Sequence, residues 1–183
     1  MQSLKSRVVM TALALCCYAC ADEGPTIPSG PQAPEIPAPT SPENLVRAVE
    51  VIFNDTVRSA SERLREYSNL FAPDFEFHDP PPRYPFILEE ARGLFEGQDS
   101  GNIYSLRASI VFKPAADLDP PEPGRENWKV MFASNIGFRL LMTPSDGYEE
   151  NGGQAMILAY PTAGGSRWFI AEWFVLPRPR PIL

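Results

Sequence analysis

Cysteine is confined to the start of this chain, and histidine occurs once. Cys16, Cys17 and Cys20 are the only thiols among 183 residues. A domain built from the rest has no disulfide available and must be held by its core. A lone His78 excludes the usual zinc site, which gathers several His or Cys ligands. A Ser-His-Asp triad would have to use that one imidazole, and no Gly-x-Ser-x-Gly elbow is present. Gly152-Gly153 lacks the pattern of a phosphate loop. Clustered positive charge is scarce too: the formal net charge is -7, and Arg178 and Arg180 in a proline-rich tail are the only grouped cations. That leaves no electrostatic footprint for nucleic acid and falls short of a polybasic lipid site. Nothing in the sequence implies a cofactor.

What is present begins with an export signal. Lys5 and Arg7 precede a nearly continuous apolar run from Val8 to Tyr18. The run is shorter than the about 20 residues that span a bilayer and suits a cleaved signal peptide over residues 1–19. Tyr18-Ala19-Cys20 then resembles a bacterial lipobox, although Cys17 stands where leucine is usual. That resemblance implies diacylation of Cys20, anchoring to a membrane of the cell envelope, and two acyl chains where one would hold weakly. The alternative is ordinary cleavage after Ala21 and release as a secreted or periplasmic protein. Residues 20–40 carry Pro25, Pro28, Pro31, Pro34, Pro37 and Pro39, a spacing that predicts an extended, semi-rigid spacer.

The globular part is expected over 41–177, with 178–183 as a tail. Ser41-Pro42-Glu43 is a helix start: a capping hydroxyl, proline at the first position, and an acid at the positive end of the dipole. Leu45, Val49, Ile52 and Phe53 follow at helical spacing. Ala60, Leu64, Tyr67, Leu70 and Phe71 predict a second helix, stopped by Pro73. Asp74 to His78 alternates as a short strand with Phe75 and Phe77 on one face. Asp79-Pro80-Pro81-Pro82 reads as a loop, and Ile87 to Glu96 as a third helix. Ile103–Lys113 is expected as a strand presenting Tyr104, Leu106, Ala108, Ile110 and Phe112. Pro114 to Glu126 reads as a loop, and Trp128 to Met142 as a strand broken near Asn135-Ile136-Gly137. Pro144 to Gly153 reads as a turn region and Gln154 to Tyr160 as a strand. A hairpin turn at Ala163-Gly164-Gly165-Ser166 leads into a last strand from Arg167 to Leu176. Period-two counting places Trp168, Ile170, Glu172 and Phe174 on one face of it, and Phe169, Ala171, Trp173 and Val175 on the other.

Two segments carry a family resemblance. Tyr67-Ser68-Asn69-Leu70-Phe71-Ala72-Pro73-Asp74-Phe75-Glu76-Phe77 is similar to the helix-to-strand junction of the nuclear transport factor 2-like family, and Trp168-Phe169-Ile170-Ala171-Glu172-Trp173 to its last strand. Ser41-Pro42-Glu43-Asn44-Leu45 resembles the start of this domain in uncharacterised bacterial lipoproteins. The resemblance spans about Ser41 to Leu176. It implies an α+β fold, a curved antiparallel sheet wrapped around N-terminal helices as a cone, with a cavity at the open end. It also implies that the sheet's outer face often packs on a second copy, which would put Trp173, Phe169 and Val175 near a homodimer contact. Function stays open, because this fold serves enzymes and non-catalytic binders alike.

The candidate catalytic residues are His78, Asp79 and Glu172. His78-Asp79 ends the first strand beside a rigid triproline loop, where an imidazole can serve as a general base if it reaches a pocket; the plain alternative is a solvated histidine beside Asp74 and Glu76. Glu172 among aromatics is either an acid or base with a raised pKa or the partner of an arginine such as Arg139 or Arg107. The leading expectation is a non-catalytic, envelope-tethered module for a small apolar ligand or a partner. The competing one is an isomerase- or dehydratase-like enzyme using His78 or Glu172.

Overall fold

A computed structural model describes residues 30–114 and 124–177. The segment expected to be a signal peptide, Cys20, most of the stretch expected as a Pro114–Glu126 loop, and the expected tail with Arg178 and Arg180 lie outside the described residues. Among the described residues no helix is long and apolar enough to cross a membrane.

Helix α1 runs Pro42–Asn54, with the Ser41 hydroxyl accepting from the Asn44 N–H and proline at its start. Leu45, Val49, Ile52 and Phe53 are fully buried along one face. Helix α2, Ala60–Ser68, opens with a capping box between Ser59 and Glu62. It stops two residues short of Leu70, so Phe71 belongs to strand β1, Phe71–His78, and not to the helix. Pro73 lies within β1. This is an edge strand, so the missing N–H need not pair with a neighbour, and its register shifts between Phe71 and Glu76. Helix α3 spans Leu88–Asp99.

Strands β2 (Ser105–Pro114), β3 (Lys129–Thr143), β4 (Asp146–Pro161) and β5 (Trp168–Leu176) form an antiparallel meander. Strand β1 adds to β5 in parallel, giving the order β1-β5-β4-β3-β2 in a curved, unclosed sheet. The sheet is therefore mixed, with the antiparallel part as expected and one parallel edge. Tyr104 precedes β2 and is 62% exposed, while Ile103 takes the buried place. The irregularity expected near Asn135 is present as register shifts on both sides of Ile136. The segment read as a turn, Pro144 to Gly153, mostly forms the first half of β4.

Strand β5 departs from strict alternation. Leu158 pairs with Glu172 but Ala159 pairs with Ile170, so Ala171 is an extra residue, a bulge. Past that point the faces swap. Ile170 and Trp173 both enter the core and are fully buried, and Val175 packs against it. Trp173 and Val175 are thus inside the cone, which corrects the expectation that they lie at an interface. Glu172 and Phe174 face outward instead.

The core lies between the helices and the concave face. Phe53 meets Tyr67 and Phe95 edge-on at 5.3 and 5.1 Å, and Phe86 stacks on Trp173 at 5.5 Å. Arg63, 1% exposed, joins the helices by donating to the Asp55 and Phe95 carbonyls, both at 3.1 Å, to the Gln98 amide oxygen, and to Asp99 Oδ1 at 2.6 Å. On β2, the Asn54 side chain bonds both the N–H (2.9 Å) and the carbonyl (2.8 Å) of Ala108, closing part of that edge. Ala33–Thr40, the distal part of the proline-rich spacer, lies against the domain: Ile36 packs on the core, Arg58 donates to the Pro34 carbonyl at 2.9 Å, and the Trp168 N–H donates to the Pro39 carbonyl at 2.7 Å.

Candidate functional site: an apolar cavity and an outer-face charge cluster

The open end of the cone holds a cavity of about 960 Å³. Its floor comes from the inner face of the sheet, where Ile136, Phe138 and Leu140 of β3 meet Val175 near the end of β5. Its opposite wall is Leu94 and Glu90 of α3 with Phe86 and Tyr84 before it. The segment Asp79 to Pro85 closes one side. This wall is rigid by composition but strained at both ends. Asp79 and Arg83 hold φ of 50° and 58°, a left-handed conformation costing a non-glycine residue about 1–3 kcal/mol.

Polar groups reach the cavity from β4. Tyr148 and Glu150 pair with Leu140 and Phe138, so both project inward, and the Tyr148 hydroxyl donates to Glu150. Tyr84 contributes its ring, while its hydroxyl is buried near Trp173. Burial pushes that hydroxyl's pKa upward, and the Trp173 indole N–H offsets part of the rise. Even so the two groups miss hydrogen-bond geometry, and both the hydroxyl and the indole nitrogen are buried without a partner. Tyr67, whose pKa complete burial also pushes well up, donates to the Phe86 carbonyl at 2.6 Å and fixes the chain leading into α3.

The predicted site residues divide between two places. Asp79 lines the cavity, exposed, next to the prolines. His78 and Glu172, 94 residues apart, come together on the outer face of the sheet, and neither lines the cavity. His78 Nε2 lies 3.2 Å from Glu172 Oε2 and 3.7 Å from Glu76 Oε2, and its ring stacks on Phe174 at 4.1 Å. Glu172 also accepts from Arg125 at 2.6 Å. The arginine pairing expected for Glu172 is real, but its partner is Arg125, which also lies over the Trp128 ring at 4.3 Å. Arg107 instead donates to the Asn54 carbonyl, and Arg139 pairs with Glu149. Cys20 is outside the described residues. Among the described residues no group of three or more His, Cys, Asp or Glu could hold a metal ion.

Sequence reasoning missed Tyr148 and Glu150, because the glycines around them read as a turn. The available signal was their two-residue spacing, which continues the pleat of a strand.

Two capped helices, an edge strand parallel to the last strand, a third helix and a four-stranded antiparallel meander make this a nuclear transport factor 2-like fold. The solved structures it resembles include a candidate scytalone dehydratase from Novosphingobium aromaticivorans, at 10% identity and TM-score 0.48, covering 76% of this chain and 89% of that one. A protein from Catenulispora acidiphila shares 14% identity at TM-score 0.47, covering 73% and 86%. A nuclear transport factor 2-like protein of unknown function in nutrient uptake, from Rhodospirillum rubrum, shares 15% identity at TM-score 0.39, covering 73% and 92%. The chain's own element and strand order define the fold. No protein-family model and no curated protein matches the chain.

Proposed function

We propose that this chain is an envelope-tethered lipoprotein whose domain holds a small, largely apolar ligand in the cavity of the cone. The observation that carries the reading is the cavity itself: about 960 Å³, within the range of about 300–1,000 Å³ typical of small-molecule sites. Its walls are mostly Phe, Leu, Ile, Val and Pro, with polar groups set among them on α3, on β4 and on the proline segment. Acylation of Cys20 would hold the domain at a membrane, and Ala21 to Gln32 would set its reach.

An acid–base enzyme is less well supported. His78 and Glu172 face away from the cavity, so an isomerase- or dehydratase-like use of them has no enclosed space to work in. The carboxylates that do line the cavity, Asp79, Glu90 and Glu150, stand with no imidazole among them.

The test is titration with phenylnaphthylamine, a neutral dye that brightens in apolar surroundings. Binding is expected at one dye per chain with a Kd of about 10 µM, since a ligand of this size gains roughly 0.3–0.45 kcal/mol per heavy atom. Leu140→Arg puts a long charged side chain on the apolar floor and should weaken binding at least about tenfold, because it fills space the ligand would occupy and covering its charge with an apolar molecule is costly. Equal binding by the wild type and a folded Leu140→Arg variant would defeat the reading.

A further inference from the structure

The cavity is apolar along its floor and acidic along its sides. Among its described lining residues, Asp79, Glu90 and Glu150 bear carboxyl groups and Arg83 bears a guanidinium. Glu90 stands in the first turn of α3, and Glu150 projects from β4 beside its strand partner Phe138. Both are partly buried, unlike a freely solvated surface acid. Asp79 and Arg83 are exposed, and among the described residues Arg83 forms no ion pair with any of the three carboxylates. The helix dipole is reason enough for an acid at the start of α3, and it accounts fully for Glu89, which is exposed and outside the cavity lining. Glu90 differs in facing an apolar space.

A second observation is aromatic. Tyr148 lines the cavity and is 52% exposed, and its hydroxyl donates to Glu150, which holds the ring and the carboxylate together. A π face beside a carboxylate suits an organic cation, because the ring quadrupole and the acid attract the same charge. A metal ion would need more converging ligands, and among the described residues no group of three or more His, Cys, Asp or Glu could hold one. An anionic amphiphile would meet three carboxylates against one guanidinium, a field that repels it.

We infer that the ligand of the cavity is an ammonium-bearing amphiphile. Its hydrocarbon part lies on the floor around Leu140, and its positively charged nitrogen is held by Glu150 and the Tyr148 ring, with Glu90 adding to the field from the α3 wall. The inference rests on the cavity as the ligand site. The carboxylates keep contact with water, so each contributes about twofold to fivefold in affinity.

Calorimetric titration of the full chain with decylammonium, decanol and decanoate, each below its micellar concentration, tests this. The three probes share one chain and differ in head-group charge. Decylammonium should bind about fivefold to tenfold more tightly than decanol, and decanoate more weakly than both. Glu150→Gln keeps an acceptor for the Tyr148 hydroxyl and removes the charge. Combined with Glu90→Gln, it should bring decylammonium and decanol within about twofold of each other, with the melting temperature of the variant reporting an intact fold. Glu89→Gln should keep the wild-type preference. An equal loss of preference in Glu89→Gln would mean that the general acidity of the chain attracts the cation, and would overturn the site. Equal affinity for the three probes, or tightest binding of decanoate, would overturn the inference and leave the cavity reading standing. Binding by none of the three would overturn both.

Discussion

Replacing Arg63 with alanine should be among the most damaging single changes to this domain. The guanidinium is 1% exposed and serves the Asp55 carbonyl, the Phe95 carbonyl, Gln98 and Asp99 from one planar fork. Burial pulls its pKa down and the Asp99 carboxylate opposes that, so it stays charged. Stripping a charged donor from the two carbonyls costs about 1–2 kcal/mol each. The void over the Phe95 ring, where the guanidinium carbon sits 4.7 Å from the ring centre, adds about 1 kcal/mol or more. Asp99 is 39% exposed at its side chain, so water replaces its lost partner and it adds little. The sum is about 3–5 kcal/mol, a large share of the about 5–15 kcal/mol that holds a domain together. Urea denaturation followed by circular dichroism measures it directly. Asp99→Asn is the companion variant and should cost less than about 1 kcal/mol. A loss below about 1 kcal/mol for Arg63→Ala, or a larger loss for Asp99→Asn, would show that the carbonyl bonds do not carry the junction.

Acid should weaken the α1–α2 turn through Asp55. Burial alone would raise this carboxyl, but the Val57 and Arg58 N–H groups and the Arg58 guanidinium outweigh it, so its pKa is lowered. A depressed carboxylate stabilises the fold above its unfolded pKa, and that contribution is lost as pH falls through the folded value. The wild-type advantage over Asp55→Asn should therefore be steady above about pH 5 and shrink as pH falls below the ordinary value of 3.8; an advantage that does not shrink as the pH is lowered through that value would contradict the assignment. For export, Cys20→Ala should abolish acylation and release the protein from membranes. Labelled fatty acid still incorporated in Cys20→Ala and lost only in Cys16→Ala or Cys17→Ala would put the anchor elsewhere.

Much of the helical part was legible because helix signals are local. Ser41, Pro42 and the Leu45–Val49–Ile52–Phe53 stripe state α1 without help from the rest of the chain. Strands were harder where glycine appears. Gly147 sits where a Cβ would come within 2.3 Å of the Leu140 carbonyl oxygen, and Gly152 has φ +84°. These glycines allow close strand approach and a bulge inside β4, yet in sequence they look like a turn. Ala171 misleads in a different way. Period-two counting cannot detect an extra residue, because the bulge exists only relative to Leu158 and Ala159 on the neighbouring strand. One hidden residue moved Trp173 from the outer face to the core. It left Glu172 outside, where it meets His78. The candidate site was therefore legible as residue types but not as a place: His78 and Glu172 do form a pair, yet the cavity belongs to Asp79, Tyr148, Glu150 and an apolar floor.

The most direct measurement of the central claim is a nuclear magnetic resonance titration with the apolar dye, following side-chain methyls. Ile136, Leu140, Leu94 and Val175 line the cavity. Val130 and Leu158 are buried but lie outside the core cluster, and Leu158 pairs with the outward-facing Glu172. Binding in the cavity predicts saturable shifts at the first four and none at the last two. Shifts concentrated at Val130 and Leu158, with the cavity methyls still, would mean that the dye binds the outer face and that the cavity is not the ligand site.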